Sequence, residues 1–364
     1  MGKFMKYGLI FIFIPVFQII AQSIPVPAIP FSPLSYICYR TEEAMTIDGI
    51  LEEESWKKAS WTENFVDIEG SLKPKPRFRT QVKMLWDSTY LYISAELEEP
   101  DVWATLTERD AIIFYDNDFE IFIDPDGDTH NYYEIEMNAL NTVWDLLIVK
   151  PYRDGGPAVH GWDINKLKTA VHVKGTLNVP EDRDQGWNVE VAIPWSALKE
   201  CTRQAIPPRQ GDQWRINFSR VEWKTEILND KYQKVINPTT GKPFPEDNWV
   251  WAPQGLINIH YPEMWGFLQF SNNIVGKNED KFVLQSDEKV KWLLRQIYYA
   301  EKNYFNEHKK FMDSVRLLEI LGNTLDNYSK KLNVFLTPNL FEAIIISDDD
   351  KTEWHINQDG RTWR

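Results

Sequence analysis

The chain has 364 residues, a formal net charge of −14, 16 Trp, six His and only two Cys. An acidic chain repels phosphate backbones, which argues against nucleic acid as a partner. The sparse His and Cys residues, with no Cys-x-x-Cys pair, argue against a zinc site, and the length allows one large domain with an appendage or two domains.

Residues 1–6 carry Lys3 and Lys6, residues 7–20 are almost wholly apolar, and Ala21-Gln22-Ser23 closes the run. This is the pattern of a secretory signal peptide over residues 1–23. The apolar run is short for a membrane span, and no Cys stands at its exit for lipid attachment. The expected mature protein is exported, secreted or periplasmic, with no membrane span left. In an oxidising compartment Cys38 and Cys201 have the opportunity to pair, but their spacing does not decide it.

Residues 24–39 form a Pro-rich lead-in, expected to be extended and loosely packed. Residues 40–271 read as β-structure. Strands are predicted over 79–86, 90–97, 118–123, 132–138, 142–148, 169–173, 187–193 and 214–221, with short helical turns at 51–58 and 195–198. Asp48-Gly49 and Asp126-Gly127 are turn dipeptides. Short strands without long intervening helices predict an all-β fold, an antiparallel β-sandwich of jelly-roll or immunoglobulin-like type. Residues 224–262 have little periodicity and read as long ordered loops.

Residues 280–364 read as a helical appendage ending in a small β element. Ser286-Asp287-Glu288 is a helix-start signal. Val290, Leu293, Leu294, Ile297 and Tyr298 follow at helical spacing. A second helical pattern runs to about Leu321, with Gly322 as its stop. Strands are predicted at 341–347 and 354–356, with Asp359-Gly360 turning back toward Trp363.

The stretch 118–138 is the most informative. Phe119, Ile121 and Ile123 alternate with Asp118, Glu120 and Phe122. After a turn, Ile135 and Met137 alternate with Glu134, Glu136 and Asn138. A period of two gives one core face and one face rich in carboxylates. Arg79, Gln81 and Lys83, Asn188 and Glu190, and Arg215 and Asn217 alternate with apolar residues in the same way. If those strands share a sheet, its polar side suits sugar hydroxyls, which donate and accept together; the plainer reading is a solvated face.

Trp faces are platforms for sugar rings. Trp86, Trp187 and Trp214 read as core, whereas Trp249 and Trp251, flanked by polar residues, read as surface candidates. Asp124, Asp126 and Asp128 surround a Gly and are candidate Ca²⁺ ligands, although Asp and Gly also favour a tight turn for conformational reasons alone.

At five places the chain resembles carbohydrate-binding module family 9, a xylanase-associated sugar-binding β-sandwich. The matching pieces are Ile47-Asp-Gly-Ile-Leu-Glu-Glu-Glu-Ser-Trp56, Val82-Lys-Met-Leu-Trp-Asp-Ser-Thr-Tyr-Leu-Tyr-Ile93, Asn117-Asp-Phe-Glu-Ile-Phe-Ile-Asp124, Gly186-Trp-Asn-Val-Glu-Val-Ala-Ile-Pro-Trp195 and Trp265-Gly-Phe-Leu-Gln-Phe270. The resemblance implies a carbohydrate-binding sandwich, often attached to xylan- or glucan-degrading enzymes, with Ca²⁺ in some members. It also implies a sugar held between two Trp, helped by an Arg and by acidic or amide groups. Here the two Trp positions fall at Phe114 and near Ile259 and His260. The Arg position holds Glu136, and the acidic positions are Asn117 and Glu120.

The expected function is non-catalytic carbohydrate binding by an exported protein involved in polysaccharide use, alongside glycoside hydrolase partners. The expected hydrogen-bonding groups are Asn117, Glu120, Glu136 and Asn138, with Arg109 as a charged partner. The expected stacking groups are Phe114, Trp144, Trp249 and Trp251. Two other readings stay open: a glycoside hydrolase using paired carboxylates, and a structural or partner-binding module with a degenerate sugar site.

Overall fold

The computed structural model describes residues 23–364, so the expected signal peptide, but for its last residue, lies outside them. In chain order the first strands are β1 Ser35–Arg40, β2 Val66–Asp67, β3 Thr80–Trp86, β4 Tyr90–Glu98, β5 Asp118–Asp124, β6 Tyr132–Asn138, β7 Val143–Ile148 and β8 Ala158–Val159. Then come β9 Lys168–Lys174, β10 Gly186–Pro194, β11 Gln213–Glu222, β12 Thr225–Leu228, β13 Lys231–Lys234, β14 Asp247–Val250 and β15 Gly266–Ile274, and a short helix, α1, spans Glu54–Lys58. One layer has the order β8-β7-β6-β5-β11-β15, with β14 branching from β11; the other has the order β1-β3-β4-β10-β9. β1 ties the layers together. Ser35–Cys38 pair in parallel with β15, and after a register break Tyr39 and Arg40 pair in parallel with β3.

The alternation read from the sequence explains why two layers form. Phe119, Ile121 and Ile123 of β5 and Ile216 and Phe218 of β11 meet Val82, Met84, Val189 and Val191 of the opposite layer in one core. All are sealed from solvent. Burying a side chain of this size contributes about 1.5–3 kcal/mol, so a one-residue slip in any of these strands would expose several such contributions at once. Cys38 and Cys201 lie in this core, both buried and unbonded.

The polar residues of β3 and β10 belong to the outer face of the second layer and serve the fold. Glu190 accepts the N–H groups of Asp48 (3.0 Å) and Gly49 (3.1 Å) and the indole N–H of Trp56 (2.9 Å). Gly49 has φ +80°, and a Cβ there would stand 2.7 Å from the backbone N of His172; glycine alone fits without strain. Lys83 donates to the Trp56 carbonyl at 2.6 Å. The single polar side envisaged for all the strands is therefore split between opposite sides of the sandwich.

Three expectations need correction. The sandwich extends from residue 35 to 274, so the lead-in ends in β1. That lead-in is packed: Ile24 is buried, Phe31 stacks on Trp292 with centroids 4.3 Å apart, and Tyr261 Oη donates to the Pro25 carbonyl at 2.9 Å. Residues 224–262 are not all loop. Asn229 and Asp230, both at positive φ, turn β12 into β13, a two-residue hairpin connection that favours Asn and Asp.

The C-terminal unit consists of α2 Asp287–His308, α3 Ser314–Leu325 and a sheet of β16 Leu332–Leu336, β17 Phe341–Ile346, β18 Glu353–Asn357 and β19 Thr362–Trp363. α3 runs through Gly322 instead of stopping there. Leu317 and Leu325 anchor it from both sides, which offsets the roughly 1 kcal/mol cost of an interior glycine.

This unit grips β11, the turn that joins β5 to β6 and neighbouring loops through ion pairs. Glu288 meets Arg215 at 2.7 Å, Lys302 meets Asp154 at 2.9 Å, Arg361 meets Asp128 at 2.9 Å, and Arg295 lies 3.7 Å from Glu263, which also pairs with Arg153 of the sandwich at 2.9 Å. No helix among the described residues is long and apolar enough to cross a membrane.

Candidate functional site

Strand pairing places the acidic residues. In the β5–β6 pair Asp118 stands opposite Asn138, Glu120 opposite Glu136 and Phe122 opposite Glu134. In β11 Ser219 stands opposite Glu120, and in β7 Trp144 stands opposite Glu136. The outer face therefore gathers Asp118, Glu120, Glu134 and Glu136, which are only 0, 6, 5 and 2 % exposed. Like charges directly across a sheet repel, and burial sharpens the repulsion. Yet among the described residues no Lys, Arg or His makes an ion pair with any of the four.

Their hydrogen bonds are few. Asp118 Oδ1 accepts the Val221 N–H and Glu136 Oε2 accepts the Phe114 N–H, both at 3.2 Å. Asp118 Oδ2 and Glu134 Oε2 are buried with no partner. Burial, then the neighbouring carboxylates, pushes Asp118, Glu134 and Glu136 well above the usual carboxylate range. Burial raises Glu120 to about 7, against the opposing hydrogen bond from Ser219. Burial and crowding thus favour the protonated form of these carboxyls, which donates as well as accepts.

Aromatic groups surround this floor. Phe122, Tyr132, Trp144 and Trp265 form a satellite cluster on the same face, with Phe114 and Ile259 at its edge. Trp144 stacks on His160, centroids 5.5 Å apart and planes within 9°. Tyr152 meets His260 edge-on at 4.5 Å, and His260 Nδ1 lies 2.9 Å from Tyr132 Oη. Burial, then the charge of Arg153, lowers the His260 pKa to about 3, so the imidazole is neutral. Tyr115, packed on Phe114, and Tyr152, packed on His260, are 52 and 45 % exposed. No hydrogen bond or ion pair joins residues 280–364 to the four carboxyls among the described residues.

The predicted site residues divide into three groups. Glu120 and Glu136 meet as neighbours, with Phe114 and Trp144 beside them. Asn117 and Asn138 hold loops instead: the Asn117 amide donates to Glu99 and accepts the Trp223 N–H, while Asn138 donates to the Leu106 carbonyl and Asp116 and accepts the N–H groups of Leu140 and Thr142. Arg109, Trp249 and Trp251 lie elsewhere. Arg109 pairs with Asp145 and Asp163. Trp249 and Trp251 are 3 and 0 % exposed in the sandwich core, because β14 pairs with β11 and turns both indoles inward. Trp251 Nε1 donates to Glu63, and Arg77 and Arg220 lie over the Trp249 ring. Neither indole offers a free face to a sugar.

Asp118 and Glu134 stand out in the sequence only through the acidic alternation, among the carboxylates open to the hydrolase reading; Tyr115, Tyr152 and His160 are not singled out there. These last three come from loops whose return to this face leaves no pattern in the sequence. The two positions that the resemblance aligned with a sugar clamp, Phe114 and Ile259, do border the same cluster.

The Asp124-Pro-Asp-Gly-Asp128 segment is a closed hairpin turn. Asp124 accepts the N–H groups of Gly127 (3.0 Å) and Thr129 (2.9 Å), and Asp128 accepts from His130 N–H (2.8 Å) and Arg361 Nε (2.9 Å). Asp126 Oδ1 alone among these three side chains is buried without a partner. A separate open groove of about 490 Å³, lined by Tyr39, Lys58, Trp61, Glu63 and Asp280, lies away from the carboxyl cluster.

The profile of the family described as carbohydrate family 9 binding domain-like matches residues 47–218. A segment of 89 residues is 34 % identical to endo-1,4-beta-xylanase C of Paenibacillus barcinonensis; it covers 24 % of this chain and 7 % of the xylanase. A family 9 carbohydrate-binding module from Caldicellulosiruptor kristjanssonii is similar in structure in its complexes with cellotriose and with glucose. Each is 15 % identical and covered over its full length, with a TM-score of 0.41; the matches take in 69 and 68 % of this chain.

Proposed function

We propose that the chain, whose residues 47–218 match the carbohydrate family 9 binding domain-like profile, binds carbohydrate, without catalysis, on the outer face of β5, β6 and β7. The observation that carries this reading is the gathering of Asp118, Glu120, Glu134 and Glu136 on one sheet face beside a cluster of aromatic side chains. Carboxyls that donate and accept match the mixed hydrogen bonding of sugar hydroxyls. Tyr152 and Tyr115 supply apolar ring faces without the usual Trp pair. The wider reading is an exported protein that takes part in polysaccharide use, with an oligosaccharide of a plant or microbial glucan or xylan as ligand. For the Asp124–Asp128 turn, the hydrogen bonds favour a conformational lock; a structural Ca²⁺ there would have to displace Arg361 from Asp128.

A glycan array probed with the mature chain tests the proposal, repeated with Glu120→Ala and Tyr152→Ala. Saturable binding that both changes weaken supports it. A folded chain that binds no plant, algal or host glycan contradicts it. A second reading, glycoside hydrolysis, draws on the closeness of the acids: one oxygen each from Asp118, Glu120 and Glu136 lies within 4.8 Å of the others, near the roughly 5–5.5 Å of retaining hydrolases. Release of reducing sugar that disappears in Glu136→Gln would favour hydrolysis.

A further inference from the structure

We propose that Asp118, Glu120 and Glu136 form a site for a hard divalent cation of the Ca²⁺ class, separate from the Asp124–Asp128 turn. The three carboxylates offer oxygens within 4.8 Å of one another. With Ca–O distances of about 2.3–2.6 Å, ligands on opposite sides of one ion stand up to about 5 Å apart, so the three can share an ion. The ligand set is all oxygen, which selects Ca²⁺, Mg²⁺ or Mn²⁺ over thiophilic metals.

A second observation, independent of the clustering, points to a missing partner. Asp118 Oδ2 has none, in a residue that is 0 % exposed. Glu134 Oε2 has none either, in a residue that is 5 % exposed and adjoins Glu120 and Glu136. Buried polar atoms are nearly always satisfied. Several other buried acids of this molecule have cations, Arg220 for Glu99 and Glu222, Arg153 for Glu263, Arg215 and Lys291 for Glu288, and Asp124 and Glu190 are held by two or three N–H donors each. The four acids of the outer face have no such side chain. A bound cation takes the place of the protons that burial favours on these carboxyls and leaves coordination positions for water or, if the carbohydrate reading holds, for a sugar diol.

The test uses the mature chain freed of metal with EDTA and dialysed. Ca²⁺ is titrated calorimetrically, and Tb³⁺ is followed by luminescence sensitised through nearby Trp144. The expected result is one saturable site per chain that weakens at least about tenfold in E120Q/E136Q and persists in D126N. The amides keep shape and remove repulsion; circular dichroism checks the fold, and E134Q serves as a second variant with a smaller expected loss. No saturation up to about 1 mM Ca²⁺, the range of extracellular modules, overturns the proposal. Binding that survives E120Q/E136Q and vanishes in D126N overturns it too, placing the ion at the turn. Cation binding without any sugar affinity supports this proposal and counts against the carbohydrate reading. Sugar binding that is equal in EDTA and Ca²⁺, with no cation bound, does the reverse.

Discussion

The two ends of one hairpin solve the same electrostatic problem in opposite ways. At the turn between β5 and β6, Asp124 is held by the N–H groups of Gly127 and Thr129, Asp128 has Arg361, and the adjoining loops place Glu263 against Arg153 and Arg295 and Asp154 against Lys302. At the other end Asp118, Glu120, Glu134 and Glu136 lie equally deep without a cation. Buried ions left unpaired are costly. The paired end is an interface between the sandwich and the C-terminal unit. The unpaired end is where we propose that a ligand binds.

The largest expected effect breaks the paired end. Arg153→Met removes one of the two cations that face each of Glu263 and Asp154, and should cost about 3 kcal/mol in denaturant unfolding. Acid should act there as well. Burial opposes ionisation of Glu263, but Arg153 and Arg295 hold its pKa down to about 2. Burial, then Arg295 and Arg361, lowers the pKa of the nearby His130 to about 3. Both values are depressed in the folded state. Glu263 therefore contributes stability above its unfolded value of about 4.5 that is lost as pH falls through about 2, and His130 contributes above about 6.5 and loses it through about 3. Trp fluorescence followed from pH 7 to pH 2 should show a loss on the order of a few kcal/mol, which Arg153→Met reduces.

The unpaired end should behave in the opposite sense. Glu134 is raised in the folded state by burial and by Glu120, so its contribution is present below the ordinary carboxylate range and lost as pH rises. At pH 8 in EDTA, Glu134→Gln should stabilise the chain by about 1–3 kcal/mol, and the gain should shrink in acid. Melting curves of both proteins check this. Smallest is Tyr152→Ala, which should leave stability nearly unchanged and lower oligosaccharide affinity by about 0.5–1.5 kcal/mol, read by calorimetry.

The layers of the sandwich were legible because period-two alternation is a local property. Phe119, Ile121 and Ile123 announce a buried face whatever lies opposite. The acidic side of 118–138 was legible for the same reason, and with it Glu120 and Glu136. What could not be read depended on distant partners. Polar neighbours made Trp249 and Trp251 look exposed, but pairing of β14 with β11 turns them inward. Asn117 and Asn138 look like sugar ligands until Trp223 and Thr142 claim their carbonyls. The Pro-rich lead-in packs against Gly255, Tyr261 and Trp292, more than two hundred residues away.

Hydrogen–deuterium exchange of the mature chain with and without a panel of cello- and xylo-oligosaccharides tests the central claim most directly. The predicted result is ligand-dependent protection of residues 112–120, 132–138 and 150–162, removed by Glu120→Ala. Protection confined to the groove around Trp61 and Asp280, or to residues 280–364, would contradict the assignment of the outer face of β5, β6 and β7.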